Sequence, residues 1–130
     1  MIKFAYTILY VKDVKKTLAF YKKAFGFEIK FITPDNSYGE LAVGETTLSF
    51  ATIKLAKSNL KKGFTASSLK NKPFGMEIGI TTTDVAATMK TAVKCGAKPV
   101  EEPKTKPWGQ TVAYVRDLDG FLIEICTPVD

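Results

Sequence analysis

Apolar and polar positions change their spacing twice along this chain, each time at an aspartate. In "YTILYVKDV" the side chains alternate as a half-buried strand requires, and after Asp13 the apolar residues Val14, Leu18, Tyr21 and Phe25 recur at helical spacing up to Gly26. "EIGITTTDV" repeats the change, with Val85, Met89, Ala92 and Val93 following Asp84 and Gly96 closing the run. Both aspartates stand where a helix N-cap belongs, and both glycines where a left-handed C-cap belongs. Their presence therefore has a structural explanation and assigns them no chemistry.

Short alternating segments bounded by turn residues follow each helix: "FEIKFIT", "YGELAV" and "TTLSFAT" in the first half, "KPVEE", "QTVAYVR" and "FLIEIC" in the second. Laying Asp13 on Asp84 brings the halves into register, so the pattern predicts one unit, strand, helix and three strands, used twice. The expected modules cover about residues 1–53 and 74–130 of a single domain, 1–130, joined by a lysine-rich connector. "DLDG" at Asp117 to Gly120 resembles the start of a calcium loop, but the sixth position is Leu122 and the twelfth Pro128, where that loop needs glycine and glutamate. A tight hairpin with Gly120 at positive φ fits better.

Composition narrows the function classes. The chain has 130 residues, 45% of them hydrophobic and 25% charged, the balance of an ordinary globular domain. No apolar run approaches the roughly 20 residues that cross a bilayer, and the N-terminus lacks the pattern of a cleaved signal, so a cytoplasmic protein with no membrane partner is expected. Two cysteines are too few for a disulfide framework. The net charge of +6 resides in one place: "ATIKLAKSNLKKGFTASSLKNKPFGM" holds six lysines and no acid, which reads as a solvated loop. Arg116 is the single arginine, so no nucleic-acid footprint is expected.

Within this pattern Glu124 stands out, a carboxylate inside the apolar run "DGFLIEIC". Alternation turns Ile123 and Ile125 toward the helices and Leu122, Glu124 and Cys126 toward the opposite face. The same parity puts Glu77, Gly79 and Thr81 on that face, with Tyr114 and Arg116 following from "TVAYVR". In the first half it selects Tyr6, Ile8 and Tyr10, with Thr47, Ser49 and Ala51.

"YVKDVKKTLAFYKKAFGF" early and "WGQTVAYVRDLDGFLIEICTP" late resemble the glyoxalase/bleomycin-resistance/dioxygenase superfamily, also called the vicinal oxygen chelate fold. The resemblance spans nearly the whole chain. It implies an α+β fold of two βαβββ modules whose curved sheets form a cup, helices outside, and commonly a homodimer. It also implies that metal-dependent members take their ligands from places corresponding to Tyr6, Ser49, Glu77 and Glu124. Here the sequence departs from the pattern, because it has no histidine and two of the four places hold neutral hydroxyls, poor ligands for a transition metal. The resemblance therefore points to a small-molecule-binding protein acting without a metal or other cofactor, its ligand an antibiotic or another aromatic compound. Tyr6, Tyr10, Ser49, Glu77, Trp108, Tyr114 and Glu124 are the expected ligand-binding residues, Trp108 because "KPWGQ" resembles the "PWG" segment of bleomycin-resistance members. The alternative is a lyase- or dioxygenase-like enzyme using Glu77 and Glu124 as acid and base or as weak metal ligands. Glu124 also has a bland reading, as a hydrogen-bond partner of Tyr6, Ser49 or Tyr114.

Overall fold

Eight strands and three helices make up the computed structural model, which describes residues 1–129. The chain divides into two compact units, 1–66 and 67–130. The first contains β1 (Thr7–Val11), α1 (Val14–Phe25), β2 (Glu28–Ile32), β3 (Tyr38–Ala42), β4 (Thr47–Thr52) and α2 (Ile53–Asn59). The second contains β5 (Ile78–Thr81), α3 (Val85–Lys94), β6 (Lys98–Thr105), β7 (Thr111–Arg116) and β8 (Leu122–Cys126). Each sheet has the same topology, β1-β4-β3-β2 and β5-β8-β7-β6, with the first and last strand of the unit parallel and the remaining pairs antiparallel.

The two aspartates start α1 and α3 as their chemistry requires. Asp13 Oδ1 accepts from the Lys16 amide at 3.0 Å, and Asp84 Oδ1 from the Ala87 amide at 3.0 Å, so each satisfies a first-turn donor that no backbone carbonyl can reach. Gly26 ends α1 in the left-handed region, its amide bonded to Lys22 O. α3 ends differently: Cys95 is the cap in a right-handed conformation, and Gly96, one residue later, takes φ +116.

The connector is not wholly a loop. α2 occupies its first third, capped by Thr52 Oγ1 accepting from the Leu55 amide, with only Ala56 buried. One buried residue in seven leaves no helical stripe in the sequence, which is why periodicity did not reveal it. Farther on, Phe64 lays its ring against Tyr10, centroids 4.8 Å apart, and so pins the connector to β1.

Sheet parity decides what each strand presents. In the first unit Leu48 and Phe50 turn toward α1, where Tyr21 meets Phe50 at 5.1 Å, leaving Thr47, Ser49 and Ala51 on the other face. In the second, Ala113, Val115, Ile123 and Ile125 are wholly buried on the α3 side. Burying each isoleucine stabilises the unit by about 1.5–3 kcal/mol, enough to hold the register that sends Tyr114 and Glu124 to the opposite face.

Candidate functional site

The sheet face away from α3 carries the chemistry of the second unit. Tyr114 and Glu124 are direct cross-strand partners on β7 and β8, and Gly79 of β5 flanks Glu124 on the other side. With no side chain on Gly79, space is open beside the carboxylate: a Cβ built there would meet nothing within 4 Å. Tyr114 Oη donates to Glu124 Oε1 at 2.9 Å. Partial burial, this bond and the charge of Glu124 push the Tyr114 hydroxyl up to about 12, so it stays a donor throughout the physiological range.

Glu77 precedes β5 and reaches the same group of atoms. Partial burial of its carboxyl, then the charge and proximity of Glu124, hold it above the ordinary carboxylate range. Cys126, buried on β8, has its thiol pushed up by burial and by Glu124, and its Sγ lies 3.7 Å from Ile80 O. It is therefore a protonated thiol, not a thiolate nucleophile. The sign of the Glu77 shift makes a stability prediction. A carboxyl raised on folding contributes stability that is complete below its unfolded value near 4.5 and is lost as pH rises through the folded one. Glu77→Gln removes that loss, so the variant should gain on wild type as pH increases from about 4.5 toward neutrality, read as the difference in Tm across a pH series. A constant difference would show that Glu77 titrates normally.

The first unit holds a related arrangement with the groups redistributed. Ser49 on β4 occupies the register place of Glu124, opposite Ile8 on β1 and Glu40 on β3. Glu40 thus corresponds to Tyr114, and Tyr6 to Glu77. Tyr38, two residues before Glu40, donates to Glu40 Oε2 at 2.6 Å, and Lys30 Nζ lies 3.8 Å from Oε1. Burial, together with Glu40, raises the Tyr38 hydroxyl, against a hydrogen bond with the Ser49 hydroxyl that lowers it. Each unit therefore carries a tyrosine-to-carboxylate hydrogen bond on the face away from its long helix.

Of the residues expected from the sequence, Glu77, Tyr114 and Glu124 come together in the second unit, and the bland partner proposed for Glu124 is found in Tyr114. Tyr6 and Ser49 lie near Tyr38 in the first. Tyr10 shares their face and packs one side of its ring on Phe64. Trp108 sits 68% exposed in the turn between β6 and β7, its Nε1 donating to Gln110 Oε1 at 2.9 Å while Gln110 Nε2 donates to Thr127 O. It borders a cleft of about 250 Å³ with Gly109, Gln110, Pro128 and Val129. Tyr38 and Glu40 were missed, although "YGELAV" places them two apart and hence on one strand face.

The turn before β8 is equally specific. Asp117, wholly buried, accepts from the Asp119 amide at 3.0 Å and the Phe121 amide at 2.9 Å, so its carboxylate organises the hairpin. Gly120 takes φ +91 as expected, and its carbonyl accepts from Arg116 Nε at 2.8 Å.

Paired βαβββ units, parallel at their first and last strands and bearing polar groups on the face opposite the helix, define a class of small α+β proteins. A model of the Glyoxalase/Bleomycin resistance protein/Dioxygenase superfamily matches residues 3–125, and the chain belongs to that superfamily. It is 29% identical over 120 residues to the uncharacterized protein YraH of Bacillus subtilis (strain 168), covering 90% of this chain and 91% of that one. Among solved structures, a glyoxalase-related enzyme from Fulvimarina pelagi superposes with a TM-score of 0.83 at 21% identity, over 98% of this chain and 89% of the other. TioX from Micromonospora sp. ML1 gives 0.71 at 18% identity, over 98% and 100%. At these identities the structural likeness is one of fold.

Metal-dependent members of the superfamily raise the question of whether these residues suit a metal. They do not fit a transition metal. The sequence has no imidazole, the Tyr114 hydroxyl keeps its proton, and among the described residues no three His, Cys, Asp or Glu side chains are grouped to hold an ion. No helix among the described residues is long and apolar enough to cross a membrane.

Proposed function

We propose that this protein binds a small aromatic compound without a transition metal, anchoring the compound's cationic or hydrogen-bond-donating group on Glu124. The observation that carries this reading is the arrangement of Glu124 itself. Tyr114 holds one of its oxygens, glycine stands beside it on β5, and Glu77 is disposed to stay protonated longer than an ordinary carboxyl. Two carboxyls side by side on one sheet face make a site of negative charge, which suits an ammonium group. Trp108 would offer a flat surface held by Gln110. The free cysteines support a reducing, cytoplasmic setting, and the exposed apolar Ile2 and Phe4 support pairing of chains in a homodimer.

A second reading rests on the raised Glu77. A carboxylic acid beside a carboxylate can serve as acid and base, as an enzyme acting on a small substrate would need. Multiple turnover of any bound compound would favour it over stoichiometric capture.

The test is native mass spectrometry of the freshly purified chain, followed by titration with benzylamine, benzyl alcohol and benzoate. Benzylamine should bind best, and its affinity should rise as pH increases through the titration of Glu77, since deprotonation adds negative charge. Preference for benzoate, or a stoichiometric transition metal surviving mild chelation, would overturn the reading.

A further inference from the structure

A cleft of about 680 Å³ opens in the first unit at the ends of β1 and β4, between the β2–β3 turn and α2. Its size falls within the roughly 300–1,000 Å³ common for small-molecule sites. The cleft lies apart from the polar sheet face: Thr52, which lines it, has the strand parity of Leu48 and Phe50, and none of Ser49, Glu40 and Tyr38 contributes to its wall. Hydrogen bonds fix the wall in place. The Thr52 amide donates to Ser37 O at 2.9 Å, tying the turn to β4. Asp35 Oδ1 accepts from Ser37 Oγ and Thr33 Oγ1, each at 2.8 Å, and from the Ser37 amide at 3.1 Å. These bonds, that from the Ser37 hydroxyl first, hold the Asp35 carboxyl below the ordinary carboxylate range, so it is charged at neutral pH.

The hydrogen-bonding capacity left over says what the cleft can receive. Ser37 gives its hydroxyl proton to Asp35, and Ser58 gives its own to Leu55 O at 2.6 Å. Thr52 Oγ1 accepts from the Leu55 amide at 3.1 Å and, among the described residues, donates to nothing. Lys54, exposed on the cleft wall, has no carboxylate partner among the described residues. The unspent groups are thus a hydroxyl donor and an ammonium, and both call for an acceptor. Charge limits which one. Lys12 and Asp35 cancel formally, leaving the single positive charge of Lys54, and a dianion would meet Asp35. Half-buried Ile53 and Leu55 supply aliphatic surface beside these groups.

We propose that this cleft binds a monocarboxylate with an aliphatic body, its carboxylate held by Lys54 and Thr52 and its body laid along Ile53 and Leu55. The site belongs wholly to the first unit and is independent of amine binding at Glu124, so either can fail while the other stands.

The test is a two-dimensional amide NMR titration of the full chain with hexanoate, against hexan-1-ol, hexylamine and hexyl phosphate, at about pH 8, where the phosphate is a dianion. Hexanoate should give saturable shifts at the amides of Ser37, Lys54 and Leu55, and bind there at least about 5-fold more tightly than any of the other three. Lys54→Gln should weaken hexanoate at least about 5-fold while leaving hexan-1-ol binding and Tm unchanged, because the ammonium has no protein partner to lose. Ile53→Ser should weaken hexanoate and hexan-1-ol alike, since both lose the same apolar surface. Three results would each overturn the proposal: no saturable shift at these residues, equal or tighter binding of one of the other three probes there, or unchanged hexanoate affinity in Lys54→Gln. Because amine binding is read from shifts at Glu77, Tyr114 and Glu124, failure in one unit is distinguished from failure in the other.

Discussion

Gly120→Ala should destabilise the protein by about 3 kcal/mol, measured by denaturant unfolding of the full chain. Two costs combine. The backbone at φ +91 lies where an L side chain is strained, and the new Cβ would stand 2.7 Å from Arg116 Nη2, 3.0 Å from Ser68 C and 3.1 Å from Leu69 N. Arg116 cannot simply swing aside. Its Nε is bonded to Gly120 O and its Nη2 donates to Ser68 O at 3.0 Å, so retreat would break both bonds and leave the buried Gly120 carbonyl without its partner. The turn also sets where β8 begins, and with it the face on which Glu124 emerges. A loss below about 1 kcal/mol would mean that this hairpin is more plastic than its bonds imply.

Glu124→Gln should leave the fold intact and weaken benzylamine binding at least about 10-fold, the equivalent of 1.4 kcal/mol. The amide oxygen of glutamine can still accept from Tyr114, so stability should change by less than about 1 kcal/mol. The charge that draws an ammonium would be gone. Glu77 supplies an internal check. Its upward shift comes first from burial and then from Glu124, so in the variant the carboxyl should move part of the way back toward its ordinary value. Unchanged affinity with a large fall in Tm would make Glu124 a structural anchor of β7 and β8. Glu77→Gln should weaken amine binding less, because the raised Glu77 carboxyl holds its charge less readily than an ordinary one.

Periodicity and capping chemistry carried most of the fold. Asp13 and Asp84 announced α1 and α3, alternation placed all eight strands, and Gly120 announced its own hairpin. Those signals are local, and a local pattern survives folding when the element it specifies also has an apolar face to bury. α2 buries one residue, and so it escaped. Alternation likewise put Glu124, Tyr114 and Ser49 on the face away from the long helices, because a strand has only two faces.

Three features depended on tertiary structure. Strand register decided that Glu124 meets Tyr114 while Ser49 meets Glu40; register is a relation between strands, and the spacing within one strand is silent about it. Competition decided the fate of Tyr10, whose ring packs on Phe64, fifty-four residues along the chain. Burial decided which polar groups matter: only with the sheet assembled is the Ser49 hydroxyl enclosed beside Tyr38 and the Glu77 carboxyl brought toward Glu124. Sequence determined the elements and the faces of these strands, because both follow from bonded geometry and side-chain polarity. The pairing of hydroxyls with carboxylates belongs to the folded state, because it depends on distances and desolvation that exist only there.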